Sequence, residues 1–123
     1  MNLVEITTQQ HGVLLNLAYA TENNFTGAPI YSNDRCYLHV DAERCLTIAI
    51  NYAGSLGYKL MIYDAFRPTE AQWILWEHSP NPDFLANPRT GSPHSRGVAV
   101  DLTLLDQNGK ELEMGTKFYD FCT

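Results

Sequence analysis

The sequence predicts a single domain that mixes strands with helices, and three observations carry that prediction. Apolar and smaller or polar residues alternate over Val13–Tyr19 and again over Val98–Leu104, the period of a strand with two unlike faces. Apolar residues recur at three- and four-residue steps between Asp41 and Ala53, the period of a helix. At 123 residues the chain suffices for one modest core and is too short for two.

In chain order, Leu15, Leu17 and Tyr19 define one face of a first strand. Residues 20–27 follow, rich in turn formers, and read as a long surface loop. In the helix over 41–53, Asp41 is placed to cap the start. Cys45, Ile48, Ala49, Tyr52 and Ala53 form the expected core stripe, and Gly54 and Gly57 the stop. Lys59–Asp64 is a short apolar run after a glycine, expected to be a strand buried on both faces. Pro68 suits the first turn of a helix through Trp76, because its missing donor is not needed there. Arg67 therefore stands at a strand-to-helix corner, where a scaffold can aim a side chain rigidly. The plainer reading is that Arg67 pairs with Asp64 on the surface, at little energetic consequence. Pro80, Pro82 and Pro88 make 77–91 an irregular connection, and Asn108-Gly109 marks a hairpin turn with Glu111–Thr116 returning.

Composition narrows the function classes. Hydrophobic content of 45% with 18% charged residues fits a folded globular protein. A net charge of −6 disfavours sequence-independent nucleic-acid binding, which needs a basic patch. No apolar run approaches the length that spans a bilayer, and residues 1–5 lack the features of a signal peptide, so the expected address is the cytoplasm. Three cysteines without CxxC spacing (Cys36, Cys45 and Cys122) are expected to be reduced thiols.

The chemistry concentrates in Ser92-Pro93-His94-Ser95-Arg96-Gly97-Val98-Ala99-Val100-Asp101. Imidazole and carboxylate are ligand types of catalytic zinc, which is held by three protein groups with one position open. Strand alternation puts Asp101 opposite the row Val98, Val100, Leu102 and Leu104, with small Ala99 leaving room beside it. Gly97 permits a kink between the His-bearing turn and the strand. His94 and Asp101 are thus candidate ligands of one zinc ion. On spacing alone the bland reading is favoured, since an acid on a strand is usually solvated and a lone His usually packs. His11 and His39 lack ligand spacing and read as surface or packing residues. His78 is not expected as a ligand, because the Pro-rich segment after it gives no fixed geometry towards His94.

A wider comparison shifts that balance. The pattern S-x-H-x-x-G-x-A-x-D resembles the zinc peptidases that act on D-alanyl-D-alanine, which share their fold with the Hedgehog signalling domain. Asp64-Ala65-Phe66-Arg67-Pro68 followed by Ala71-Gln72 is similar to a second signature of the same dipeptidases, with Phe66 where Tyr is common. Tyr19 with Ala20-Thr21-Glu22-Asn23-Asn24-Phe25-Thr26-Gly27 resembles their first strand and pocket-walling loop.

The resemblance, from about Val13 to Asp120, implies an α+β fold: a central antiparallel sheet with flanking helices, in one domain over 1–123. It implies zinc-dependent hydrolysis of D-Ala-D-Ala in cell-wall peptide turnover or glycopeptide resistance. One Zn²⁺ would sit on His94 and Asp101, Arg67 would stabilise the charged intermediate, and Ser92 would bind the substrate's amino end or orient the site. The family's third ligand and its base come from a Glu-x-x-His motif downstream of the hairpin, which these residues do not include; the expectation is a C-terminally truncated domain. His11, His39 and His78 as ligands, and Glu111 or Glu113 as base, are the substitutes within the chain. Two rival readings follow: a D,D- or L,D-carboxypeptidase on longer peptidoglycan peptides, and a non-catalytic binding module of the same fold.

Overall fold

The computed structural model describes residues 2–22, 24–31, 34–83 and 85–112; Glu113, Cys122 and most of the expected returning strand lie outside them. The elements are β1 (Leu3–Ile6), α1 (Thr8–His11), β2 (Leu14–Leu15), a 3-10 turn at Ala18–Ala20, β3 (Cys36–His39), α2 (Val40–Ser55), β4 (Lys59–Asp64), α3 (Thr69–His78) and β5 (Asp101–Leu105). β1 and β3 form an antiparallel pair, and a second sheet has the order β2-β4-β5. β4 runs antiparallel to β5 and parallel to β2, so the α+β expectation holds with a mixed sheet. Among the described residues, no helix is long and apolar enough to cross a membrane.

The first strand is much shorter than expected. Pairing with β4 ends at Leu15, Asn16 N–H donates to the Ile62 carbonyl at 2.9 Å, and the chain then coils into the 3-10 turn. Coiling lets both Leu17 and Tyr19 be buried, in two different clusters. One cluster, including Ile6, Leu38, Leu46 and Ile62, lies among the two sheets and α2. The other gathers Tyr19, Leu75 and Leu85 beside α3.

α2 covers the expected helix but turns a different face inward. Leu46 and Ala53 are buried, with Ala42 and Ile50 packed against the same core, whereas Cys45, Ile48 and Tyr52 are exposed. Both stripes satisfy the helical period, so periodicity alone does not choose between them. The start of the helix also differs from the expectation. His39, not Asp41, is the N-cap, its Nδ1 accepting from Asp41 N–H at 3.1 Å. The helix runs through Gly54, and Gly57 at φ 83 closes it: Tyr58 N–H donates to the Ala53 carbonyl and Gly57 N–H to that of Gly54.

β4 spans the expected residues, but it alternates instead of being buried on both faces: Leu60, Ile62 and Asp64 are buried while Lys59 is exposed. Pro68 is the N-cap of α3, one position before its expected place. β5 starts three residues late, at Asp101, because 93–98 form a turn closed by Val98 N–H donating to the Pro93 carbonyl. The face of β5 that carries Asp101 is not a solvated one, since Thr103 and Leu105 on it are buried while Leu102 is exposed.

Gly97 ties that turn to the first sheet. Its carbonyl accepts from His39 N–H at 2.9 Å, its φ is +75, and an added Cβ would meet His39 N at 3.0 Å and Leu3 Cδ2 at 3.1 Å. Gly97→Ala should therefore lose about 1–3 kcal/mol through backbone strain alone. Gly54→Ala, helical and with nothing within 4 Å of the new methyl, should gain about 0.5 kcal/mol. Urea unfolding of the two variants reads the opposite signs. Burial first, with the Asp64 and Glu5 carboxylates adding to it, pushes the Cys36 thiol up to about 12, while Cys45 is exposed. Alkylation followed by peptide mass mapping should label Cys45 in the native protein and Cys36 only after unfolding.

Candidate metal centre and active site

His94 and Asp101 converge. His94 sits in the turn after Ser92, and the first residue of β5 brings Asp101 to it, with His94 Nε2 3.4 Å from Asp101 Oδ2. Two ligand atoms of one tetrahedral zinc, each about 2.0–2.1 Å from it, stand roughly 3.3 Å apart, so this pair fits a shared ion. The imidazole is oriented by the backbone. Its Nδ1 lies 2.8 Å from the Ala65 carbonyl, which can only accept, so Nδ1 carries the proton and Nε2 presents its lone pair. Asp101 is about one-third exposed and His94 mostly covered, so the centre opens to solvent on the Asp101 side.

The turn bearing His94 is held at both ends. Ser92 is buried, and its Oγ accepts from His94 N–H at 3.2 Å, the contact that orients the turn. The His94 carbonyl accepts from Arg67 N–H at 2.9 Å and Gly97 N–H at 3.1 Å, which joins the turn to the β4–α3 corner.

Arg67 is not the exposed cation of the plainer reading. It is 4% exposed and does pair with Asp64, but in the interior. Nε and Nη2 both donate to Asp64 Oδ2, at 2.9 and 2.7 Å, and Nη1 donates to Gln72 Oε1 at 2.7 Å. Its Cζ lies 5.0 Å from the centre of the Tyr19 ring, within cation–π range. Nη2 is also 3.8 Å from Asp101 Oδ2, which places the guanidinium beside the His94–Asp101 pair.

Asp64 is the residue that sequence reasoning missed as a site member. It comes within 4.8 Å of the ligand atoms of His94 and Asp101 because of a register shift: Ile62 pairs with Leu102 but Asp64 with Asp101, leaving Tyr63 as an extra residue. Such a bulge re-aims side chains. Both carboxylate oxygens are committed, Oδ2 to Arg67 and Oδ1 to the Tyr31 hydroxyl at 2.5 Å. Burial pushes the Asp64 carboxyl up from its ordinary value, and Arg67, Tyr31 and His94 each pull it back. Burial, with Asp64 beside it, pushes the Tyr31 phenol up as well, so it stays protonated and donates. An acid three residues before Arg67 was the available signal, but strand alternation without the bulge does not set it against Asp101.

The loop over 20–27 is tied down internally and leads on to Tyr31. Asn24 Nδ2 donates to the carbonyls of Ala18, Thr21 and Ala28, and Ile30 and Tyr31 N–H both donate to the Tyr19 carbonyl, which returns Tyr31 to Asp64.

The substitute ligands go elsewhere. His11 Nδ1 accepts from Thr7 N–H, and its Nε2 donates to Glu43 at 2.9 Å. His39 caps α2, and His78 packs against the Phe25 ring at 5.8 Å between centres. Glu111 accepts from the Tyr63 hydroxyl at 3.0 Å. Among the described residues, Asp64, His94 and Asp101 form the group of three with ligand atoms close enough to hold one ion.

Comparison with known proteins places the chain in a family. A family model described as D-ala-D-ala dipeptidase matches residues 1–123. The chain is 43% identical over 116 residues to a D-alanyl-D-alanine dipeptidase of Escherichia coli (strain K12), covering 94% of this chain and 60% of that protein. It is 35% identical over 130 residues to one from Enterococcus faecium, covering 88% and 64%, and 31% identical over 121 residues to one from Streptomyces coelicolor, covering 82% and 60%. The chain thus spans 60–64% of the length of these relatives.

His94→Ala and Asp101→Ala should each weaken Zn²⁺ binding by more than about tenfold, the scale that outer-shell changes alone reach. His11→Ala and His78→Ala should leave it unchanged. Competition against a chromophoric chelator measures all four.

Proposed function

Because the chain belongs to the D-ala-D-ala dipeptidase family, we propose that it carries the metal pair and the cationic arm of a zinc-dependent D-alanyl-D-alanine dipeptidase. The observation that supports this most directly is His94 Nε2 at 3.4 Å from Asp101 Oδ2, with Arg67 Nη2 3.8 Å from the same oxygen. A site of that composition handles a neutral carbonyl that becomes an oxyanion.

His94 and Asp101 would hold the zinc, which supplies Lewis-acid polarisation and lowers the pKa of a bound water. The chain's own residues do the rest. The Ala65 carbonyl keeps the His94 proton on Nδ1 so that Nε2 stays available. Ser92 orients the turn through the His94 amide. Arg67 places a fixed positive charge where the substrate oxygen gains negative charge, and a donor that needs no reorganisation acts most strongly as that charge develops. Enclosure within the protein strengthens the interaction relative to water. The loop around Phe25 and the segment before Ser92 would wall a pocket sized for a dipeptide. The substrate would come from cell-wall peptide turnover.

The test is release of D-alanine from D-Ala-D-Ala by the zinc-loaded full-length protein that carries these residues, beside a muramyl pentapeptide. Hydrolysis of the free dipeptide alone is the expected result; cleavage of the pentapeptide alone would make it a carboxypeptidase, and cleavage of neither would sink the reading. Arg67→Lys retains a charge for buried Asp64 but loses the planar fork. It should lower kcat by about 10²–10³-fold, the scale for one lost oxyanion donor, with zinc content unchanged.

A further inference from the structure

Arg67 has five N–H donors in a rigid fork, and three are committed within the protein: two to Asp64 Oδ2 and one to Gln72 Oε1. Gln72 is 1% exposed and spends its amide on both sides, since its Nε2 donates to the Ala86 carbonyl at 2.8 Å. The amide therefore cannot turn over without losing both bonds: flipping it would set NH₂ against the guanidinium and oxygen against a carbonyl. Asp64 is fixed in turn by Tyr31. A guanidinium held along one edge by a carboxylate and at its far nitrogen by an amide has no freedom to rotate about its own plane. The Nη2 atom so fixed is the one that lies 3.8 Å from Asp101 Oδ2.

We propose that Gln72 is a positioning residue for the reaction, acting with Asp64 to lock the Arg67 guanidinium so that Nη2 faces the substrate oxygen. The inference rests on the functional reading above and deepens it. Asp64 serves this lock, its oxygens bonded to Arg67 and Tyr31. The Gln72 side chain bonds to Arg67 and to the Ala86 carbonyl, so its effect on turnover passes through Arg67. A lock of this kind matters because displacing a reacting-group contact by about 1 Å costs on the order of 10²-fold in rate.

Two variants separate positioning from mere support. Gln72→Leu removes both bonds of the amide. Gln72→Glu keeps an acceptor oxygen for Arg67 Nη1 and abolishes the donor to Ala86. In the zinc-loaded protein, Gln72→Leu should lower kcat for D-Ala-D-Ala by about 10–100-fold with KM changed less than about threefold. Gln72→Glu should recover most of that loss, and zinc affinity should be the same in all three proteins. Equal loss in both variants would overturn the proposal, because Gln72 would then serve only to hold the segment at Ala86; no loss in either would overturn it as well.

A second measurement does not need turnover. Nitrogen-edited NMR of the Arg67 side chain should show separate Nη1 and Nη2 proton signals in the wild type and in Gln72→Glu, merging by rotation in Gln72→Leu. Separate signals in Gln72→Leu would overturn the lock even if activity fell. If the wild-type protein failed to hydrolyse D-Ala-D-Ala, the functional reading would fall and the role of Gln72 in turnover with it, while the spectra would still decide whether the lock exists.

Discussion

A guanidinium buried against a carboxylate is the contact around which the other parts of this molecule are arranged. Taking two charges from water costs several kcal/mol per ion unless hydrogen bonds satisfy them closely. Asp64 and Arg67 meet that condition by recruiting distant segments. The loop ending at Tyr31 supplies a hydroxyl, α3 supplies the Gln72 amide, and Tyr19 lies against the cation. Losing one partner of such a pair costs about 3–5 kcal/mol, a large fraction of a small domain's stability. The same bonds that make burial tolerable therefore hold the loop ending at Tyr31, the corner before α3 and the segment at Ala86 in one arrangement.

Chemistry follows from that arrangement through backbone geometry. The bulge at Tyr63 sets Asp64 opposite Asp101, and the Arg67 amide holds the carbonyl of His94. One strand end thus controls the position of the His94–Asp101 pair and of the cation beside it. A mixed sheet suits this role, since β4 lies centrally between β2 and β5 and is braced on both edges.

The candidate site was more legible in the sequence than the packing was. His94, Asp101, Arg67 and Ser92 sit in short motifs whose residue types are tied to chemistry, and the structure brings all four into one network. β4 could be read to the residue because glycine and a strand-to-helix corner bracket it. Helix α2 could not be read so closely. It carries two apolar stripes of the same period, and the choice between Cys45–Ile48–Tyr52 and Leu46–Ile50–Ala53 depends on contacts far away in sequence. The split of Val13–Tyr19 into a two-residue strand and a 3-10 turn has the same origin, since Tyr19 is drawn into the second cluster. The role of Asp64 required the bulge, which local pattern does not announce.

The proton on the imidazole Nδ1 is held by the carbonyl of residue 65, a backbone group. Mutation at that position can change what projects from the backbone but cannot delete the oxygen. The tautomer is therefore inherited with the path of the main chain. Drift in the surrounding sequence can alter this centre's ligands or its cation one at a time, yet the setting of that proton changes only when the corner itself is rebuilt.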